Sequence, residues 1–139
     1  MPKGDYAAFR ALDPFFAVVM DGLSKFVDGE HYFDTLHDDV LFEFRYDLPG
    51  WPQVMRGRAN LVALYSGYGN NIRLDRGDAL IAHPSDNGRV VTLEYEVHGK
   101  IPATDTPFVS IATIENRKIV RWRDYMDSLA AWRALNRVT

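Results

Sequence analysis

The stretch Lys118–Leu129, KIVRWRDYMDSL, decides the fold. It reads as a last β-strand running into a C-terminal helix. Alternation with a period of two puts Val120, Trp122, Asp124 and Met126 on one face. Ile119, Arg121, Arg123, Tyr125 and Asp127 fall on the other. The first row is apolar except for one carboxylate, the pattern of a sheet face turned toward an enclosed space. A carboxyl set between Trp and Met loses hydration, and that raises its pKa toward neutrality, where it can give or take a proton. Asp127 or Ser128 caps the helix that follows, which carries Leu129, Trp132 and Leu135.

Working back from that strand, the remaining elements follow from local signals. Asp13-Pro14 opens a first helix, with Asp as N-cap and Pro at the first helical position. Phe15, Phe16, Val19, Met20, Gly22, Leu23, Phe26 and Val27 give it an apolar face, and Asp28-Gly29 ends it. Glu30–Leu36 reads as a second short helix with Tyr32, Phe33 and Leu36 inward. Val40–Tyr46 is strand-like. Asp47–Pro52 is a loop broken by two prolines and a glycine. Arg58–Tyr68 is a third helix with Leu61, Leu64 and Tyr65 on its buried side. Ile72–His83 is a second strand, closed by the turn Asp86-Asn87-Gly88. Arg89–His98 is a third, with Val91, Leu93, Tyr95 and Val97 inward. Glu94, Glu96 and His98 face water. Thr106–Glu115 is the fourth strand, with Phe108, Ser110, Ala112 and Ile114 in one row. Lys118–Met126 is the fifth. Helices first, then one strand, a helix and four consecutive strands argue an α+β fold: a curved, mainly antiparallel sheet wrapped over helices around a central hollow.

The chain of 139 residues suits one domain, residues 1–139, with an ordinary 47% hydrophobic content that is ample for a core. A net charge of −3 with scattered basic residues gives no nucleic-acid surface. The absence of cysteine excludes disulfide and thiol chemistry. No apolar run reaches membrane-spanning length, and MPKGDY has no signal-peptide core, so a cytoplasmic location is expected. His31, His37, His83 and His98 show no metal-ligand spacing, and no cofactor fingerprint occurs. Neither metal nor cofactor is expected.

The element order, Gly57-Arg58 at the start of the third helix and the closing WRDYMD resemble the SnoaL-like polyketide cyclases and ketosteroid isomerases of the nuclear transport factor 2-like fold. The C-terminal part, with Leu93-Glu94, His98–Ile101, Arg123–Met126 and Arg133-Ala134-Leu135, is also similar to the small phenazine-biosynthesis proteins of that fold, and WRDY resembles limonene-epoxide hydrolase. The resemblance implies a cone-shaped α+β domain. It implies an acid–base residue at Asp124 with the cavity-wall aromatic at Trp122, and a homodimer through the sheet face. The isomerase base falls at Phe44 here, its oxyanion-hole acid at Ser110, and the phenazine proteins' histidine at Leu64 or Tyr65. Epoxide hydrolysis needs an Arg-x-Asp pair where this chain has Leu93, Tyr95 and Val97.

The expected site is therefore Asp124 as proton shuttle, with Trp122, Tyr95, Ser110, Tyr46, Trp51 and Tyr65 contacting a small, apolar, ring-bearing substrate. The expected reaction is cofactor-independent proton transfer of the cyclase, isomerase or dehydratase type. A non-catalytic small-molecule-binding or dimerisation module of the same fold is the alternative, with epoxide hydrolysis a third reading that would need an arginine such as Arg45 or Arg123 to turn inward to Asp124. An ion pair between Asp124 and a neighbouring arginine would favour the module.

Overall fold

The structure, a computed structural model, describes residues 6–66 and 72–138, without the side chains of 135–138. Tyr68, the expected end of the third helix, and the Leu135 side chain lie outside the described residues. A 3-10 segment at Ala7–Leu12 leads into helix α1, Asp13–Leu23. Asp13 is already helical there (φ −52°, ψ −39°) and caps nothing with its side chain; its N–H is taken by the Arg10 carbonyl. The run-in turn supplies what an N-cap would otherwise provide, which corrects the capping role read from Asp13-Pro14. Pro14 does sit in the first turn, where its missing N–H costs nothing. The helix also stops earlier than expected, at Leu23, and Gly29 (φ +144°) lies in the chain beyond it.

The expected helix at Glu30–Leu36 is only a 3-10 turn, Tyr32–Thr35. His31 Nδ1 accepts from the Phe33 N–H at 3.0 Å, and the Asp34 carboxylate accepts from the His31 N–H at 3.3 Å. This reciprocal cap holds a single turn, and Leu36 already begins strand β1, Leu36–Phe44. After the proline loop comes a strand absent from the sequence reading, β2, Val54–Arg56. Helix α2, Arg58–Ser66, follows. The remaining strands are β3 (Arg73–Pro84), β4 (Val90–Ile101), β5 (Ala103–Glu115) and β6 (Lys118–Met126), before helix α3, Ser128–Val138.

The six strands form one sheet in the order β2-β1-β6-β5-β4-β3. All neighbours are antiparallel except β1 and β6, which run parallel. The sheet is thus mixed and open, one strand larger than expected. Bulges interrupt the β3–β4, β5–β6 and β1–β6 registers, and such bulges bend a sheet. Its concave face receives α1, which crosses β3 and β4, and α2, which leans on β1. Close passage of α1 needs Gly77: a Cβ there would stand 2.7 Å from Val18 Cγ1 and 2.9 Å from the Pro14 carbonyl. The core lies between helices and sheet, around Val19, Leu23, Phe33, Phe42, Leu93 and Trp122, all fully buried. Among the described residues no helix is long and apolar enough to cross a membrane.

Candidate functional site

Strand β6 lies between β1 and β5, so its inward row occupies the middle of the concave face. Trp122 and Asp124 of that row are 0% and 2% exposed. Arg121, Arg123 and Tyr125 project to the opposite face, as alternation requires. Among the described residues no arginine, lysine or histidine contributes to the pKa of Asp124. The ion pair that would have marked a purely structural carboxylate is therefore not what holds it.

Two hydrogen bonds hold it instead, both on the same oxygen. Ser110 stands directly across from Asp124 in the β5–β6 register, and its hydroxyl donates to Oδ1 at 2.6 Å. Trp122, two residues earlier on the same strand face, donates its indole N–H to Oδ1 at 2.5 Å. Ser110 Oγ lies 2.7 Å from the Tyr95 hydroxyl. With the serine hydrogen committed to Asp124, the tyrosine is the donor in that pair. The result is a line Tyr95–Ser110–Asp124 across three strands, with both side-chain hydrogen bonds to the carboxylate falling on Oδ1. Burial raises the Asp124 pKa to about 6, against the lowering effect of the Ser110 and Trp122 bonds. Burial likewise pushes the Tyr95 hydroxyl well above the usual tyrosine range, so it stays a neutral donor.

Asp124 opens onto a cavity of about 120 Å³. Phe15 of α1, Val97 of β4, Phe108 of β5 and Met126 of β6 form its body. Leu48 and Tyr46 come from the loop after β1, Tyr65 from α2, and Ala131 and Ala134 from α3. Among the described residues the remaining polar side chains on its wall are Thr104 and Thr106. Of the residues expected at the site, Asp124, Tyr46 and Tyr65 line this cavity. Trp122, Tyr95 and Ser110 do not: they stand behind the carboxylate and hold it, where substrate contact had been expected. Trp51 packs on Phe44 and Tyr65, at ring-centroid distances of 5.4 and 6.3 Å, outside the lining.

The sequence reading passed over several wall residues. Val97 and Phe108 stand in the inward rows of the sequence but were not among the expected substrate contacts. Ala131 and Ala134 gave no signal, because small residues on a helix face rarely mark a ligand. Tyr32 was read as core only. It is fully buried, edge-on to Trp122 at 5.1 Å, and its hydroxyl has no hydrogen-bond partner. Burial first, and the Asp124 charge second, push its pKa well up.

Among the described residues one group comes within metal-ligating reach of itself: Asp78, Glu96 and His98, with ligand atoms within 4.8 Å of one another. It lies on the convex face, away from the cavity. His98 Nε2 already bonds Asp78 Oδ1 at 2.8 Å, and Arg76 bonds the other Asp78 oxygen at 3.2 Å.

This architecture, a bent six-stranded sheet cupping N-terminal helices with an acid in its hollow, is the nuclear transport factor 2-like fold. Solved structures agree. A Bacillus subtilis protein provisionally described as an isomerase superposes with TM-score 0.70 at 22% identity, over 93% of this chain and 92% of that one. A Pseudomonas putida KT2440 protein provisionally described as a polyketide cyclase gives 0.65 at 16%, over 94% and 98%. An NTF2-like protein of Burkholderia xenovorans LB400 gives 0.63 at 20%, over 93% and 95%. In sequence, the chain is 26% identical over 106 residues to YesE, an uncharacterised Bacillus subtilis (strain 168) protein, covering 73% of this chain and 72% of YesE. No family model matches the chain.

Proposed function

We propose that the chain is a cofactor-independent acid–base enzyme acting on a small, neutral, ring-bearing substrate, with Asp124 as the proton shuttle. The observation that carries this is a carboxyl that no cation among the described residues pairs with, its pKa raised to about 6, at the floor of an apolar cavity. At pH 7 such a group is about nine-tenths ionised, and so is a ready base that becomes an acid once protonated. Oδ1 is fixed by Ser110 and Trp122, which leaves Oδ2 to take a proton from a carbon next to a carbonyl and return it elsewhere on the substrate. That proton movement covers isomerisation, cyclisation and dehydration. The Thr104 and Thr106 hydroxyls supply donors for the oxygen on which charge gathers. A positioned carboxylate of this kind contributes roughly 10²–10⁴-fold.

The cavity also limits the substrate. A dry engineered cavity of about 150 Å³ takes up benzene, so about 120 Å³ suits one ring with its substituents reaching the mouth. Among the described residues no cation lines the wall, so a carboxylate or phosphate on the buried part of the substrate would meet Asp124 without compensation from them. Similarity to a protein provisionally described as an isomerase and to one provisionally described as a cyclase supports this reading at the level of fold. The second reading, a binding module without turnover, draws on one fact: among the described residues Asp124 is the only carboxylate on the wall.

A thermal-shift screen of cyclic ketones and enones, followed by turnover assays on the hits, tests the proposal. Ala131→Phe fills the cavity from α3 and abolishes the ligand-induced shift while the apo melting temperature stays within a few degrees. Asp124→Asn retains ligand binding and loses turnover by at least about 10²-fold. Turnover kept by Asp124→Asn removes the acid–base role; hits that bind but never react leave the binding module.

A further inference from the structure

Strand β6 carries Asp124 on its concave side and turns Arg121 and Arg123 to the convex side. In the register, Arg123 stands between Glu43 of β1 and Ile111 of β5, and Arg121 between Leu41 and Thr113. Arg45, just past the end of β1, joins them. Its N–H donates to the Asp124 carbonyl at 2.7 Å, and its guanidinium comes within 3.7 Å of Glu43. Residues two apart on a strand are separated by about 6.8 Å and neighbouring strands by about 4.8 Å, so the three guanidiniums share one small patch.

One carboxylate serves all three. Arg121 Nε donates to Glu43 Oε1 at 2.5 Å, and Arg45 faces Oε2. The Arg121 bond, with the charges of Arg121, Arg45 and Arg123, holds the Glu43 carboxyl below its usual range against the effect of burial. Glu43 is therefore ionised at neutral pH, and its side chain is only 11% exposed. Against this one negative charge stand three positive ones, which leaves two unmatched. Arg123 shows the shortfall most directly: its Nε is buried and has no hydrogen-bond partner. A buried donor without an acceptor forfeits its hydration for nothing, and a charged one forfeits more. The side chains of Arg45 and Arg121 are 54% and 44% exposed, so the patch is open to a ligand from solvent.

We propose that Arg45, Arg121 and Arg123 form a binding site for a phosphate group, carried either by inorganic phosphate or by a phosphate monoester. The charge matches, because a phosphate monoester carries close to two negative charges near neutral pH. The shape matches as well. Each guanidinium offers a flat fork of N–H donors, and a tetrahedral phosphate presents oxygens to forks approaching from several sides. A carboxylate has two oxygens and one charge, and would leave a fork idle. The site is separate from the cavity, which opens on the other face of the sheet. Beside Arg123 on the convex face, Tyr125 and Val109 stand next to each other and form an apolar shelf for the organic part of an ester.

Calorimetric titration and proton–nitrogen spectra of the arginine Nε–H groups test this, with inorganic phosphate and phenyl phosphate as probes. Both bind the wild-type chain at one site and move the Arg123 Nε–H resonance, and added sodium chloride weakens them. Arg123→Gln and Arg45→Gln each weaken binding by at least about 10-fold, the worth of one charge-assisted hydrogen bond, while circular dichroism shows both variants folded. Arg123→Lys keeps the charge and still loses most of the affinity, because the fork is gone. Ala131→Phe, which fills the cavity, leaves phosphate binding unchanged. Phenyl phosphate binding more tightly than phosphate assigns the site to an ester; equal affinities assign it to the free anion. Titrations with no saturation up to about 10 mM overturn the proposal. So does binding that Arg123→Gln leaves intact, which would be adventitious, or binding lost in Ala131→Phe, which would place the anion in the cavity.

Discussion

Replacing Asp124 by Asn probes the carboxyl through stability, independently of any substrate. Folding moves the Asp124 pKa from 3.8 to about 6, the cause being burial. At about 1.36 kcal/mol per unit, ionised Asp124 costs the folded chain about 3 kcal/mol. The sign follows from proton binding. Below pH 3.8 both states are protonated and the cost is absent; as pH rises toward 6 the unfolded chain ionises first, and stability is lost across that window. Asn carries no charge at any pH, and its amide oxygen accepts from Ser110 and Trp122 as Oδ1 does. The difference in unfolding free energy, Asp124→Asn minus wild type, therefore starts near its minimum at pH 4. It grows between pH 4 and 6, then levels off with the variant more stable by about 3 kcal/mol, roughly 6–12 °C in melting temperature. Urea titrations of both proteins at half-unit pH steps read this difference, and the subtraction cancels the other titrating groups. A difference that stays flat across the window would mean that the carboxyl is hydrated, and the argument for a proton shuttle would fall with it. The variant that gains stability is the one expected to lose turnover, as is common where a site holds a group against its preferred state.

Ser110→Ala removes a donor from Asp124 and the acceptor of the buried Tyr95 hydroxyl together, so stability falls by about 1–3 kcal/mol and the acid limb of a pH–rate profile moves upward. Tyr32→Phe removes a buried hydroxyl without a partner and raises stability by about 1 kcal/mol in chemical denaturation; a loss would show that the hydroxyl is bonded. Gly77→Ala forces a methyl against Val18 and the Pro14 carbonyl where α1 crosses β3, lowering stability by about 1–3 kcal/mol, which thermal unfolding reads directly.

Asp124 was legible because the sheet period is two and its row neighbours are Trp and Met. That pattern fixed which way the side chain points, and the structure agrees. It could not say how deep along the strands each inward residue lies. Tyr95, Ser110 and Trp122 share the inward face with Val97, Phe108 and Met126, yet helix α1 and the Tyr32 turn cover the first group and leave the second open. Depth depends on where helices cross a sheet, a matter of tertiary packing. The Ser110–Asp124 bond depends on register, set by the two-residue turn Asn116-Arg117. Both residues there have positive φ (50° and 62°), and neither is the glycine that would have announced it. Strand β2 was missed because three residues between Pro52 and Gly57 are too short to show a period. The early start of β1 was hidden by His37-Asp38-Asp39, three consecutive exposed residues between the buried Leu36 and Val40, where a register shift against β6 breaks the alternation.

Strand β6 is the only neighbour shared by the β1–β2 pair and the β3–β5 meander. A chain leaving the ribosome carries both groups of strands before it has anything to join them with, and the hollow has no floor until residues 118–126 emerge. The acid therefore arrives on the same segment that zips the two halves together, and helix α3, which completes the cavity wall with Ala131 and Ala134, follows it.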